Sequence, residues 1–150
     1  MLMPKGKPPR DCPSFPASTR DGMRFSVSRL KWLNPRRITV SFMPDGTITT
    51  YGVSNLFALL NRTTGMTRWP SQVKQAFRAW EKACGVHFEY VHDDGSEQGG
   101  YGRMQGDPRF GDIRIGTAVS GGIAAAIYPP GQLGVGGTGS GDIFLNPRFT

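Results

Sequence analysis

Apolar residues recur at three- and four-residue intervals over residues 69–84. Val73, Ala76, Phe77, Trp80 and Cys84 form one stripe, and Gln72, Lys74, Gln75, Arg78, Glu81 and Lys82 fill most of the opposite face. That period predicts an amphipathic helix over Trp69–Cys84. Pro70 suits its first turn, where a missing N–H costs nothing, and Gly85 can close it in a left-handed cap. Phe77 and Trp80 are expected to anchor the helix on a sheet, so that Trp80→Ala should cost several kcal/mol.

A period of two marks the strands. Ile38-Thr-Val-Ser-Phe42 alternates, as does Val86-His-Phe-Glu-Tyr-Val91, with Val86, Phe88 and Tyr90 on one face. Between them, Pro44-Asp-Gly46 sets a turn: Pro fixes φ and Gly accepts a positive one. Ser54–Asn61 predicts a short helix with Ser54 as N-cap and Leu56, Phe57, Leu59 and Leu60 as its apolar side. Asp93–Phe110 is polar and Gly-rich, a surface loop. Asp112–Gly116, with Ile113 and Ile115 inward, and Asp142–Leu145 read as short strands. Ile123–Tyr128 is apolar, preceded by two glycines and followed by two prolines, which predicts an extended segment at a sheet edge. Strand, crossover helix and further strands in this order predict an α/β fold: a twisted mixed sheet of about five strands, one long right-handed crossover helix and a short inserted helix.

Composition adds boundaries. The 150 residues suit one domain, and 21 glycines with 12 prolines call for many loops around modest regular structure. No stretch approaches the roughly 18 apolar residues of a membrane helix. Residues 1–28 read as a disordered basic and Pro-rich extension without the apolar region of a signal peptide. That fits a cytoplasmic protein, a start further upstream, or a linker. The net charge of +7 serves solubility first. Basic clusters at Lys5–Arg10 and Arg29–Arg37 raise nucleic-acid binding, but no basic helix face, aromatic RNA-binding motif or Cys/His finger accompanies them. Cys12 and Cys84 are not expected to pair; Cys84 reads as a small buried residue.

The usual catalytic constellations are missing: no H-E-x-x-H, C-x-x-C, G-x-S-x-G or phosphate-binding Lys loop. His87 and His92 are read as solvated. Gly134–Gly141 precedes a strand rather than a helix, which argues against phosphate binding. Asp112 and Asp142 each follow a glycine and open a strand. They either cap turns or share a hard cation such as Ca²⁺, with backbone carbonyls from Thr138–Gly141, those of Thr138 and Ser140 first.

Taken in order, these motifs resemble the front half of a matrixin-type (metzincin) zinc metalloprotease of the bacterial branch. Ala76-Phe-Arg-Ala-Trp80 is similar to the family's A-x-x-x-W helix, Phe88-Glu-Tyr-Val91 to its F-x-x-V-like strand, and Gly111-Asp-Ile-Arg-Ile115 to its A-D-I-x-I strand. Ile123–Gly131 is similar to its L-A-H-A edge ending in P-G, and Gly141–Asn146 to G-D-x-H-F-D. The resemblance runs from Trp32 onward and implies a metzincin-like N-terminal subdomain over residues 29–150, with an insert at about 47–68. It implies an extracellular metalloendopeptidase using Zn²⁺, an extended protein or peptide substrate laid along Ile123, Ala124 and Ala125, and Asp112 and Asp142 as calcium ligands. The family's structural-zinc histidines fall on Ala125 and Phe144, so no structural zinc is expected, and Asn146 replaces an acidic calcium ligand. The H-E-x-x-H-x-x-G-x-x-H helix is not in this chain, so no catalytic residue is assigned and the chain alone is expected to be inactive. The other readings are a non-catalytic peptide-binding module of the same fold and a basic nucleic-acid-binding domain; no membrane partner is expected.

Overall fold

A computed structural model describes residues 30–66, 68–130 and 135–149, without the side chains of 135 and 136. The extension over residues 1–28, Cys12, the basic cluster Lys5–Arg10, Arg29 and residues 131–134 of the Gly-rich loop lie outside the described residues.

The alternating segment Ile38–Phe42 is strand β1, followed by a two-stranded hairpin, β2 (Ile48–Thr49) and β3 (Gly52–Val53). Two helices come next, α1 (Leu56–Thr64) and α2 (Arg68–Cys84). The rest is β4 (Phe88–Tyr90), β5 (Tyr101–Arg103), β6 (Ile113–Thr117), β7 (Ala124–Ala126), β8 (Val135–Gly137) and β9 (Ile143–Leu145). Five strands form one mixed sheet in the order β4-β1-β6-β9-β7. Its first four members pair in parallel, while β7 runs antiparallel to β9. β5 pairs with β8 apart from this sheet.

One face of the sheet is apolar. Ile38, Val40, Ile113 and Ile115 are buried against Leu56, Leu60 and Trp69 from the helices. Trp69 is the hub: its ring meets Phe42 and Phe57 edge-on at 5.1 and 5.3 Å, and its Nε1 donates to Asn61 Oδ1 at 2.8 Å. Phe77 packs edge-on against Phe88 at 4.7 Å, as its place on the stripe predicts. Gly85 adopts a positive φ of 66° and closes α2 with an N–H to Glu81 O at 2.9 Å.

Three local expectations fail. Trp80 is 57% exposed rather than an anchor. At about 100° per residue it lies about 60° round the helix from Phe77, and the buried arc of α2 turns toward Val73, Phe77 and Cys84, leaving Ala76 and Trp80 at its margin. Ser54 does not cap α1; its hydroxyl accepts the N–H of Thr117 at 3.3 Å, and Asn55 is the N-cap without a side-chain bond. The orphan donors of the first turn go instead to Asp45, whose two oxygens take the N–H groups of Phe57 and Ala58 at 2.8 and 2.9 Å. Cys84 is disulfide-bonded, not an unpaired thiol.

The second face of the sheet is polar yet covered. Ser41, Asp112, Arg114 and Asp142 are buried. Their cover comes from the segment predicted as a surface loop, which carries β5 and buries Asp93, Gln98 and Phe110. It returns to the sheet at Gly111, where a Cβ would lie 2.5 Å from Ser41 N and 2.6 Å from the Val40 carbonyl carbon. Backbone cannot yield to that contact, so glycine is required there.

Candidate functional site

The predicted edge segment is β7, at the end of the sheet, with Ala124, Ala125 and Ala126 all exposed. Among the described residues it is held from one side only. Ala124 pairs with Leu145, Ala125 with Phe144 and Ala126 with Ile143. The ladder continues through Ile127 N–H to Asp142 O and Asn146 N–H to Ile123 O, both 2.9 Å. By the two-residue alternation, the backbone groups of Ala124 and Ala126 point away from β9. Three methyl side chains leave those groups open to an incoming strand. Asn146 is fully buried and fixes the approach to the edge: its Nδ2 donates to Ser120 O at 2.7 Å and Gly122 O at 2.8 Å. Ile123 stands exposed beside it.

Ala125 and Phe144 are cross-strand partners. Neither side chain can ligate a metal. The Phe144 ring is buried with Met43 and Ala118, with Ile127 packed alongside, and meets Tyr51 of the β2–β3 hairpin edge-on at 5.9 Å. An apolar cluster therefore joins the hairpin to the sheet at this point.

Asp112 and Asp142 hold different partners. Asp112 Oδ2 accepts the N–H of Thr39 on β1 at 2.9 Å, its Oδ1 accepts the N–H of Gly106, and its own N–H donates to Thr39 Oγ1 at 2.8 Å. Asp142 Oδ1 accepts the N–H of Arg114 at 3.1 Å. Its Oδ2 is buried with no partner. Burial pushes the Asp142 carboxyl up to about 7, against the Arg114 N–H, the Arg114 charge and Gln98, all of which lower it. Thr138 is tied elsewhere, its N–H and hydroxyl both donating to Gly100 O at 3.0 and 2.9 Å. As arranged, the two acids cap separate segments through these bonds.

The strongest polar feature was not legible in the sequence. Arg114, the second residue of β6 and fully buried, forms a two-pronged pair with Asp93: Nε to Oδ2 at 2.9 Å and an Nη to Oδ1 at 2.7 Å. Ser41 Oγ donates to Asp93 Oδ2 at 2.7 Å and accepts the Gly111 N–H at 2.9 Å. The guanidinium also reaches Ser96 O at 2.9 Å and stacks over Phe110 with 4.2 Å to the ring centre. The pair therefore clamps both ends of the covering loop onto the sheet. Its one sequence signal was a charged residue between two core isoleucines.

The histidines stand apart. His87 Nδ1 lies 3.2 Å from Glu81 Oε1 at the exposed start of β4, and His92 is exposed on the loop after it. Among the described residues, no group of three or more His, Cys, Asp or Glu is placed to hold a metal ion. No ligand set for a catalytic zinc is therefore assembled among the described residues. Among those residues, no helix is long and apolar enough to cross a membrane. No protein-family model, curated protein or solved structure matches this chain.

Proposed function

We propose that this chain is the sheet-bearing N-terminal part of a matrixin-like zinc metalloendopeptidase, with β7 as the edge on which an extended peptide is laid. The observation that carries the reading is β7 itself: an antiparallel, exposed, all-alanine edge strand on an otherwise parallel sheet. Strand addition takes its affinity from main-chain hydrogen bonds, which β7 offers through Ala124 and Ala126. The register supports the same reading, since it sets Ala125 opposite Phe144, the two positions that the resemblance pairs as metal ligands. Cys84 in a disulfide agrees with an oxidising, extracellular setting. The residues here supply binding and orientation. Hydrolysis needs zinc ligands that this sequence does not contain, and no chemical step is assigned to it.

The edge is tested with Ala126→Pro. Proline removes an outward N–H and leaves the ladder to β9 intact, a substitution edge strands tolerate. Fluorescence anisotropy with a fluorescein-labelled Ala-Val hexapeptide should show binding to the parent chain and at least tenfold weaker binding to the variant, with matching circular dichroism. Equal binding would refute the edge. The protease assignment is tested separately by reading the coding sequence after Thr150: an in-frame H-E-x-x-H supports it, and a stop codon favours a peptide-binding module on the same edge.

A further inference from the structure

The opposite edge of the sheet, β4, carries a second and chemically different strand site. Its outer side is lined by α2. Glu81 Oε1 accepts the Phe88 N–H at 2.8 Å, Phe77 touches Phe88 and Tyr90 edge-on, and Lys74 Nζ lies 5.0 Å from the centre of the Tyr90 ring. Later helix residues thus meet earlier strand residues, so α2 runs antiparallel alongside the edge. Between them lies a groove of about 310 Å³, lined by Lys74, Arg78, Glu81, His87, Phe88 and Tyr90.

The charges of this groove are unbalanced. Glu81 is engaged by the Phe88 N–H and by His87. Lys74 and Arg78 are exposed and belong to none of the ion pairs among the described residues. The next charge on the strand, Glu89, faces the other side and is held by Arg37 at 2.9 Å. The Tyr90 hydroxyl is buried without a hydrogen-bond partner. The Phe88 N–H points outward to Glu81, so by alternation the Tyr90 N–H also points outward, where no sixth strand lies among the described residues.

We propose that the free edge of β4 takes an extended acidic segment of a partner protein, whose alternate carboxylates lie over Lys74 and Arg78. The spacings agree. Cations four residues apart on a helix are separated by about 6 Å along its axis. Carboxylates two residues apart on a strand are separated by about 6.6 Å and share one face. The partner's backbone takes the Tyr90 N–H. Glu81 guards the Phe88 donor and repels segments that carry acids throughout, so it selects for alternation. Lys82, on the same helical row one turn further on, extends the positive rail past the groove. The sequence alone gave no basic helix face; the row Lys74, Arg78 and Lys82 acquires meaning because the fold sets it beside an unpaired edge.

The test uses the full chain and a fluorescein-labelled octapeptide of alternating Glu and Val, read by anisotropy at low salt. The parent chain should bind it. Lys74→Glu combined with Arg78→Glu should weaken binding at least tenfold, Glu81→Gln should tighten it a few-fold, and Ala126→Pro should leave it unchanged, which separates this site from β7. N-methylation of alternate peptide nitrogens on the pairing side should abolish binding without altering the protein, so a misfolded variant cannot decide the result. Unchanged affinity after charge reversal would overturn the proposal. So would equal binding of the N-methylated peptide, absence of binding to the parent chain, or tighter competition by single-stranded DNA, which would mark a general polyanion surface.

Discussion

Removal of Asp93 is the sharpest test of what holds the polar face of this sheet. In Asp93→Ala the Arg114 guanidinium loses both prongs of its pair, and Ser41 Oγ loses its acceptor. The Asp93 and Arg114 side chains are 1% and 0% exposed, so water cannot replace the lost carboxylate without opening the loop. Breaking one partner of a buried pair costs about 3–5 kcal/mol, because the survivor is left charged and desolvated. Total stabilities are about 5–15 kcal/mol, so the effect is a large share. At about 2–4 °C per kcal/mol for a domain of this size, the melting temperature should fall by about 6–20 °C. The assay is urea unfolding followed by tryptophan fluorescence, with hydrogen exchange across residues 91–111 to show that protection is lost there first. Two companions fix the interpretation. Arg114→Met added to Asp93→Ala should recover most of the loss, since it removes the stranded charge and retains an apolar stem. Glu89→Ala, at the exposed Arg37 pair, should cost no more than about 1 kcal/mol. A cost below about 1 kcal/mol for Asp93→Ala, or no recovery in the double variant, would refute the clamp.

Three further outcomes are expected. Asp142 should make stability depend on pH: its carboxyl rises from 3.8 to about 7 on folding, so the folded state holds a proton that the unfolded state releases, and stability falls as pH rises from about 4 to about 7. At about 1.4 kcal/mol per unit the penalty reaches about 4 kcal/mol above pH 7; Asp142→Asn should therefore be more stable than the parent at pH 8 and equal to it near pH 4, and parallel pH–stability curves for the two proteins would contradict this. Trp69→Ala should cost about 3–5 kcal/mol in urea unfolding, while Trp80→Ala, at the exposed margin of α2, should stay within about 1 kcal/mol; the reverse order would refute the packing described. Millimolar Ca²⁺ should leave the melting temperature unchanged, because both Asp112 oxygens are taken by backbone donors and Arg114 already places a positive charge beside Asp142; a rise of several degrees with calorimetric heat would show that the two carboxylates can turn to a shared ion.

The sequence determined the elements wherever a local rule was strong enough alone. The two-residue alternation of Ile38–Phe42 and Val86–Val91 gave β1 and β4, the three-to-four period gave α2, Gly85 gave its cap, and the Gly–Gly and Pro–Pro brackets gave the extended edge at Ala124–Ala126. Each depends on neighbours a few residues away, so the chain carries the information in its own order.

Tertiary structure decided the rest, because the deciding partners are far apart in sequence. Periodicity places Trp80 on the same stripe as Phe77, but only the position of the sheet beneath α2 decides which part of that stripe is covered. Ser54 has the right chemistry to cap α1, yet Asp45, ten residues before the N-cap, takes the first-turn donors because a turn brings it there. Asp93 and Arg114 read separately as a loop residue and an odd charge in a strand, and their meeting requires the loop to fold back across β1 and β6. Asp112 and Asp142 look equivalent in sequence, each after a glycine and each opening a strand. The sheet order gives Asp112 to β1 and Asp142 to β6, and so leaves one carboxyl satisfied and the other with a buried oxygen unpaired.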